Sequence, residues 1–317
     1  MHTFRAMNTD FVTQGLPEAE QREAESWFAF VEKHLTRFDP GSELSRLNRS
    51  AGRPFIATPI LFEAVSVAVD YYKRADGLFN PFLGRLLSEL GYGESFVETA
   101  AEAASRSRPS DRPEACAKLL GAFGPENAVK LNPLLRSMEL PPEWSVDLGG
   151  IAKGWSAEQF AGMMRRKGIA QGAVSAGGDM MLWGGESRPQ QVGIADPFAL
   201  DRDIYSLFIR RNAGIATSSR LKRKWLDGDG QQRHHILDPR TMMPSLTDVV
   251  QATVIHPSLT AAEVYAKCLL ILGFQAGEEW LERKHPAAAA VLVCEDGSVR
   301  TAGNIEQYRQ ENGKEAG

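Results

Sequence analysis

Long apolar runs, paired cysteines and an excess of either charge are all missing from this 317-residue chain. No stretch of 18 apolar residues occurs, so no membrane-spanning helix is expected. The opening MHTFRAMNTDFVTQGL also lacks the apolar run of a signal peptide and a cysteine for lipid attachment, and a cytoplasmic protein is the expectation. Cys116, Cys268 and Cys294 are odd in number, far apart, and without the paired spacing of a zinc or redox motif. Such usage fits a reducing compartment. Lys and Arg total 36 against 40 for Asp and Glu, a formal net charge of -4, so nothing global points to nucleic acid as a partner. The basic run RLKRKW, 220–225, reads as a solvated face or as a phosphate-binding patch. No internal repeat is visible.

What is present is enough apolar content, 43%, for a substantial core, and the chain is read as a single domain of two subregions spanning 1–317. TFRAMNTDFVTQG reads as a strand, and PEAEQREAESWFAFVEKHLTRF carries apolar residues at helical spacing. FDPGSELSRLN breaks that pattern, with Ser42 placed to cap the short segment after it. TPILFEAVSVAVDYYKRADG gives another helix, stopped at Gly77 before the loop LFNPFLG. Residues 95–120, rich in Ala, Ser, Arg and Pro, read as a helical excursion or a surface insertion, not core. From residue 128, short β-like runs surround helical runs at 150–167 and 260–273. Strands and helices grouped without strict alternation predict an α+β fold, with antiparallel or mixed sheets and packed helices.

Four stretches could carry chemistry. In SVDLGGIAKG, 145–154, Gly149 and Gly150 precede a helix with Lys153 near its start. Glycines there let backbone N–H groups approach an anion, and the helix N-terminus adds partial positive charge. Neither G-x-G-x-x-G nor G-x-x-x-x-G-K-[ST] is present, so a plain strand-to-helix turn is the competing reading. AVSAGGDMMLWGG, 173–185, places a second glycine pair before Asp179, at a bulge or a close approach. RHHILDPRTMMP, 233–244, sets two imidazoles beside an Asp-Pro turn; its H-x-x-D spacing suits metal binding or acid–base work, and an Asx turn at Asp238 is the structural alternative. AAEVYAKCLLILG, 261–273, is a helix with a core-facing apolar pattern that also holds Glu263 and Lys267 one turn apart. A surface pair of roughly 0.3–0.5 kcal/mol would explain them, and so would a place in an active site.

Taken in order, FDPGSELSRLN, DLGGIAKG, AGGD, HHILDPRT with its following proline, and AAEVYAKCLLILG resemble the ApbE family of FAD:protein FMN transferases, from about Met7 to about Val293. The resemblance implies an α+β fold with FAD in a cleft between two halves. It also implies transfer of FMN to a Ser or Thr of an acceptor protein, with release of AMP. A hydroxyl then attacks a pyrophosphate, which requires a base and cations against the developing oxygen charge.

Carried over motif by motif, Met7 and Phe38 fall at the flavin, and Phe79, Asn80 and Pro81 match the family's Phe-Asp-Pro loop. Asp147 and Lys153 correspond to FAD contacts, the Gly150 carbonyl to a metal ligand, and Ile236 to the segment flanking the cofactor. His235 is the candidate catalytic imidazole. The family's last helix reads Ala-Asp-Ala-x-x-Thr-Ala-Leu, with Asp and Thr on magnesium; Glu263 takes the Asp position and Lys267 the Thr position. Both are therefore expected in the catalytic site, Glu263 also as a metal ligand with Gly150. An ammonium cannot coordinate Mg2+, yet it can supply positive charge beside a pyrophosphate.

Asn8, Ser219 and Met242 stand where the family has Gly, and Asn80 where it has Asp. Side chains at the glycine positions are expected to crowd the backbone's approach to the ligand. The implied function is an FMN transferase with an altered metal site; the alternative is an FAD-binding protein of the same fold without turnover.

Overall fold

Met7 and Asn8 hold positive φ values of 49° and 56°, and there the chain folds back on itself. Strand β1 (His2–Ala6) pairs antiparallel with β2 (Thr9–Gln14), Ala6 opposite Thr9. Two left-handed residues in succession give the hairpin turn whose twist matches its flanking strands. TFRAMNTDFVTQG is thus two strands, because Asn tolerates a left-handed backbone better than most residues.

The computed structural model describes residues 1–89, 129–142, 144–184, 189–221, 224–226, 232–234 and 236–309. Helix α1 (Glu18–Leu35) is followed by α2 (Glu43–Arg49), β3 (Phe55–Ile56), α3 (Pro59–Arg74) and α4 (Gly84–Glu89). Ser42 caps α2 as its sequence predicts, its Oγ accepting from the Ser45 N–H at 3.0 Å. Next come β4 (Lys130–Asn132), β5 (Ser137–Glu139), α5 (Ala152–Arg166), β6 (Gly172–Ala176), β7 (Asp179–Trp183), β8 (Gln190–Ala195), β9 (Asp203–Ile209) and β10 (Ala213–Ser219). The short β11 (Lys224–Leu226), β12 (Gln232–His234), β13 (Leu237–Asp238) and β14 (Met243–Pro244) lead to β15 (Val249–His256). Helices α6 (Leu259–Leu272) and α7 (Phe274–Lys284) precede the last strands, β16 (Ala289–Cys294) and β17 (Val299–Gly303).

Eight strands form the main sheet in the order β1-β2-β6-β7-β10-β15-β16-β17, every neighbouring pair antiparallel. The fold is α+β. The run IYSLFIRRNAGIAT splits between β9, which pairs with β8 in a separate hairpin, and β10 in the main sheet. Helix α7 follows α6 directly because Gly273, at φ 78°, ends one helix and starts the next. The insertion at 95–120 and Cys116 lie outside the described residues. So do Lys222 and Arg223 of the basic run, while Arg220 is buried and ion-paired with Glu295.

Helix α6 is the centre of the packing. Twelve of its 14 residues are buried, as an almost uniformly apolar helix requires. One side lies on β10 and β15 and another meets α5. Ser258 caps it, and Glu158 from α5 accepts from the Ser258 hydroxyl at 2.7 Å and the Thr260 N–H at 3.0 Å. Where α6 starts it touches the sheet backbone: a Cβ on Gly214 would lie 2.3 Å from the Leu259 Cα and 2.4 Å from its N. Among the described residues no helix is long and apolar enough to cross a membrane.

Backbone atoms cannot rotate away, so Gly214→Ala must shift α6 or β10. It is expected to lower stability by about 1–3 kcal/mol, read from the midpoint of urea denaturation; an unchanged midpoint contradicts this contact.

Candidate functional site

Beside the start of α5 lies a cavity of about 730 Å³, within the roughly 300–1,000 Å³ of small-molecule sites. Leu35, Leu78, Phe79, Leu83, Leu148 and Ile236 give it an apolar wall. Lys153, Asp179, Thr217, Glu263 and Lys267 give it a charged and polar one. Met7, Phe38, Phe79, Asn80, Asp147, Gly150, Lys153, Ile236, Glu263 and Lys267 all line this one space, although they come from distant parts of the chain.

Pro81 is buried in the same loop as Asn80, and its carbonyl accepts from the Asp147 N–H at 2.7 Å. His235 lies outside the described residues. Its neighbour His234 is buried, with Nε2–H donating to the Ser245 carbonyl at 2.9 Å and Nδ1 accepting from the Ile236 N–H at 3.3 Å. Both of its ring nitrogens are thus committed to holding the turn. The Asx reading of the turn also holds, since Asp238 Oδ1 accepts from the Arg240 N–H at 2.9 Å.

Glu263 is 1% exposed, which excludes a surface pair with Lys267. Its Oε1 accepts from Lys153 Nζ at 3.0 Å and from Lys267 Nζ at 3.4 Å, and its Oε2 from the Gly154 N–H at 2.8 Å. Lys153 Nζ also donates to Asp179 Oδ2 at 2.7 Å, while Asp179 Oδ1 accepts from the Thr217 N–H at 2.9 Å. Two ammonium groups and two carboxylates therefore share one buried network, anchored on α5, α6 and the start of β7.

Burial pushes the Glu263 carboxyl up, but Lys153, Lys267 and the Gly154 N–H together outweigh it and bring its pKa down to about 2. Burial likewise pulls Lys153 down, and there Asp179 and Glu263 win, holding its ammonium above the ordinary lysine range. At Lys267 burial and the neighbouring Lys153 prevail over Glu263, so its pKa is lowered. The two lysines share a carboxylate and differ in sign of shift because only Lys153 has Asp179 at bonding distance.

A second pair stands at the mouth of α5. Arg37 Nε donates to Asp147 Oδ2 at 2.5 Å, its guanidinium lies 4.3 Å from the centre of the Phe38 ring, and Asp147 Oδ1 accepts from the Gly149 N–H at 2.6 Å. Sequence reasoning missed Arg37 and gave Asp179 no role; the only local signals were the AGGD element that contains Asp179 and the FDPGSELSRLN element that begins just after Arg37. The amides of Gly149, Ile151, Ala152 and Gly154 all donate within the protein. Four amides at this helix start are thus committed within the protein.

Two of the substituted positions have a backbone of the kind glycine permits. Asn8 and, at φ 58°, Met242 adopt the left-handed conformation that glycine permits. Met242 is buried in a cluster with Leu83, Leu86 and Leu237. Asn80 Oδ1 accepts from the Phe82 N–H at 2.9 Å, a bond a carboxylate would also make, and Ser219 Oγ accepts from the Leu221 N–H at 3.1 Å.

As arranged, these residues do not fit a magnesium ion at Gly150 and Glu263. Both Glu263 oxygens are engaged, two ammonium groups stand beside Oε1, and Lys267 has no lone pair to offer. The Lys267 stem also packs over Gly150, where a Cβ would meet Lys267 Cε and the Phe79 ring at 3.2 Å. Among the described residues no group of three or more His, Cys, Asp or Glu could hold a metal ion.

Fold and cavity together define an α+β protein with a cleft lined partly by apolar side chains and partly by buried ion pairs. The sequence profile of the ApbE family matches residues 3–293. The FAD:protein FMN transferase of Klebsiella pneumoniae strain 342 is 24% identical over 308 residues, 95% of this chain and 84% of that protein. That of Treponema pallidum strain Nichols is 27% identical over 285 residues, 84% and 75% of the two chains. The solved ApbE protein of Thermotoga maritima MSB8 shares the fold, with a TM-score of 0.83 at 23% identity over 98% of this chain and 99% of its own. The chain belongs to the ApbE family.

The depressed Glu263 pKa sets a sign for stability against pH. The ionised carboxylate's contribution is present above its ordinary value of 4.5 and is lost as pH falls toward about 2. Thermal melting across that range should therefore show the wild type losing more Tm than Glu263→Gln. Equal losses would mean that Glu263 is not held ionised by its neighbours.

Proposed function

We propose that this chain is an FAD:protein FMN transferase, moving FMN from FAD to a Ser or Thr hydroxyl of an acceptor protein and releasing AMP. One observation carries the reading: an apolar wall suited to an isoalloxazine and a pair of ammonium groups suited to a diphosphate share one continuous cavity. Membership of a family whose relatives bear that name supports it.

In the reaction the acceptor's hydroxyl oxygen bonds to the phosphorus on the FMN side of the pyrophosphate. The bond from that phosphorus to the bridging oxygen breaks, and AMP leaves with that oxygen and the bonding electrons. The hydroxyl proton passes to a base, the role assigned to His235. Lys153, fixed between Asp179 and Glu263, stays protonated and requires no reorientation as charge builds on the phosphoryl oxygens. Phe38 and Met7 flank the flavin end, with Phe38 backed by Arg37. The Asp147 bond to Gly149 shapes the loop that closes the wall. The free, buried thiols of Cys268 and Cys294 accord with a cytoplasmic setting.

Lys267 at a metal-ligand position favours a second reading, a protein that binds FAD without turning it over. The two separate cleanly. With FAD and a peptide bearing an acceptor Ser or Thr, the transferase attaches flavin and releases AMP one for one, and His235→Ala slows AMP release by about 100-fold or more while still binding FAD. FAD held stoichiometrically with no AMP released, under conditions where the Klebsiella relative works, rejects turnover.

A further inference from the structure

We infer that Lys267 is a resident cation for the FAD diphosphate, taking the place of a divalent metal ion, so that this chain binds FAD without added metal. The inference rests on the FAD-dependent reading above and identifies what balances charge in that site.

Charge counting gives the first reason. Lys153 and Lys267 face Asp179 and Glu263, two positive groups against two negative. Elsewhere the wall carries Arg37 with Asp147, neutral in sum, and Lys33 with Glu32 and Asp39, so it adds no surplus of positive charge. With a neutral residue at position 267 the buried network would hold one ammonium against two carboxylates and repel a diphosphate. A further cation is needed there, and this chain supplies it covalently.

Geometry gives the second. The Lys267 side chain is 18% exposed, lines the cavity and packs its stem over Gly150. Its Nζ donates to the Glu263 carbonyl at 3.2 Å and to Glu263 Oε1 at 3.4 Å. An ammonium has three N–H groups, so one remains for a ligand oxygen. A metal ion at Glu263 would have to displace this ammonium and also sit beside that of Lys153, 3.0 Å from the same oxygen.

The closing experiment titrates FAD into the full-length protein after dialysis against EDTA, following flavin fluorescence, with and without added Mg2+. The wild-type Kd is expected to change less than about threefold on adding Mg2+. In EDTA, Lys267→Met is expected to weaken binding by about tenfold or more, the loss of one charge-assisted bond. Lys267→Arg, which keeps the cation, should bind within about threefold of wild type. Circular dichroism of both variants shows whether they are folded.

Tightening of the wild type by more than about threefold with Mg2+ overturns the inference, and so does Lys267→Met binding as tightly as wild type in EDTA. AMP release is scored separately. Metal-independent, Lys267-dependent binding with no AMP released rejects the transferase reading and leaves the resident cation standing. No FAD binding in either buffer removes both.

Discussion

A carboxylate in the middle of an apolar helix has to be paired, and the arrangement around Glu263 stems from that requirement. Helix α6 is buried almost all round, so an unpaired charge on it would cost several kcal/mol. The partners come from α5, as the Lys153 ammonium and the Gly154 N–H. That second bond needs the helices very close: a Cβ on Gly154 would lie 2.8 Å from Glu263 Oε2 and 3.0 Å from the Leu259 carbonyl. Asp179, reached through Lys153, brings in the turn between β6 and β7, and its bond to the Thr217 N–H brings in β10. One buried charge thus locks two helices and the centre of the main sheet into register, and the cavity opens where they meet.

The same constraint divides the work between two lysines. Lys153 has a carboxylate on each side and is a fixed, permanently charged wall of the site. Lys267 has only Glu263, already shared, and its ammonium is the less satisfied of the two. Under the proposed function, an anion entering the cavity would gain most from Lys267, while Lys153 would keep the two carboxylates paired when the anion leaves. Preorganised cations of this kind stabilise charge developing on phosphoryl oxygens without reorienting during the reaction. Apolar residues lining the same cavity would lower the local dielectric and strengthen such an interaction.

Local signals in the sequence were enough for the helices α1, α3, α5 and α6, for the Ser42 cap and for the Asx turn at Asp238, because each depends on residues within a few positions of one another. The site was legible only through the order of its motifs: its members stand as far apart as Met7 and Lys267, and nothing local ties them. Arg37 escaped notice for that reason, since a single arginine after a helix gives no hint of a carboxylate 110 positions away. Helix α7 went unread behind Gly273, and the turn at Met7 and Asn8 was hidden inside an apparently continuous strand. At the substituted glycines crowding is the expectation, and Asn8 and Ser219 do line the cavity. At Met242 the side chain is instead absorbed by an apolar cluster.

The most direct measurement is a crystal structure of the protein soaked with FAD in metal-free buffer. Diphosphate oxygens should lie within hydrogen-bond reach, about 2.7–3.2 Å, of both Lys153 Nζ and Lys267 Nζ, with the isoalloxazine along Phe79 and Ile236. A diphosphate bound elsewhere in the cavity, or Lys267 swung out of the site with FAD in place, would contradict the central role given to the Glu263 network.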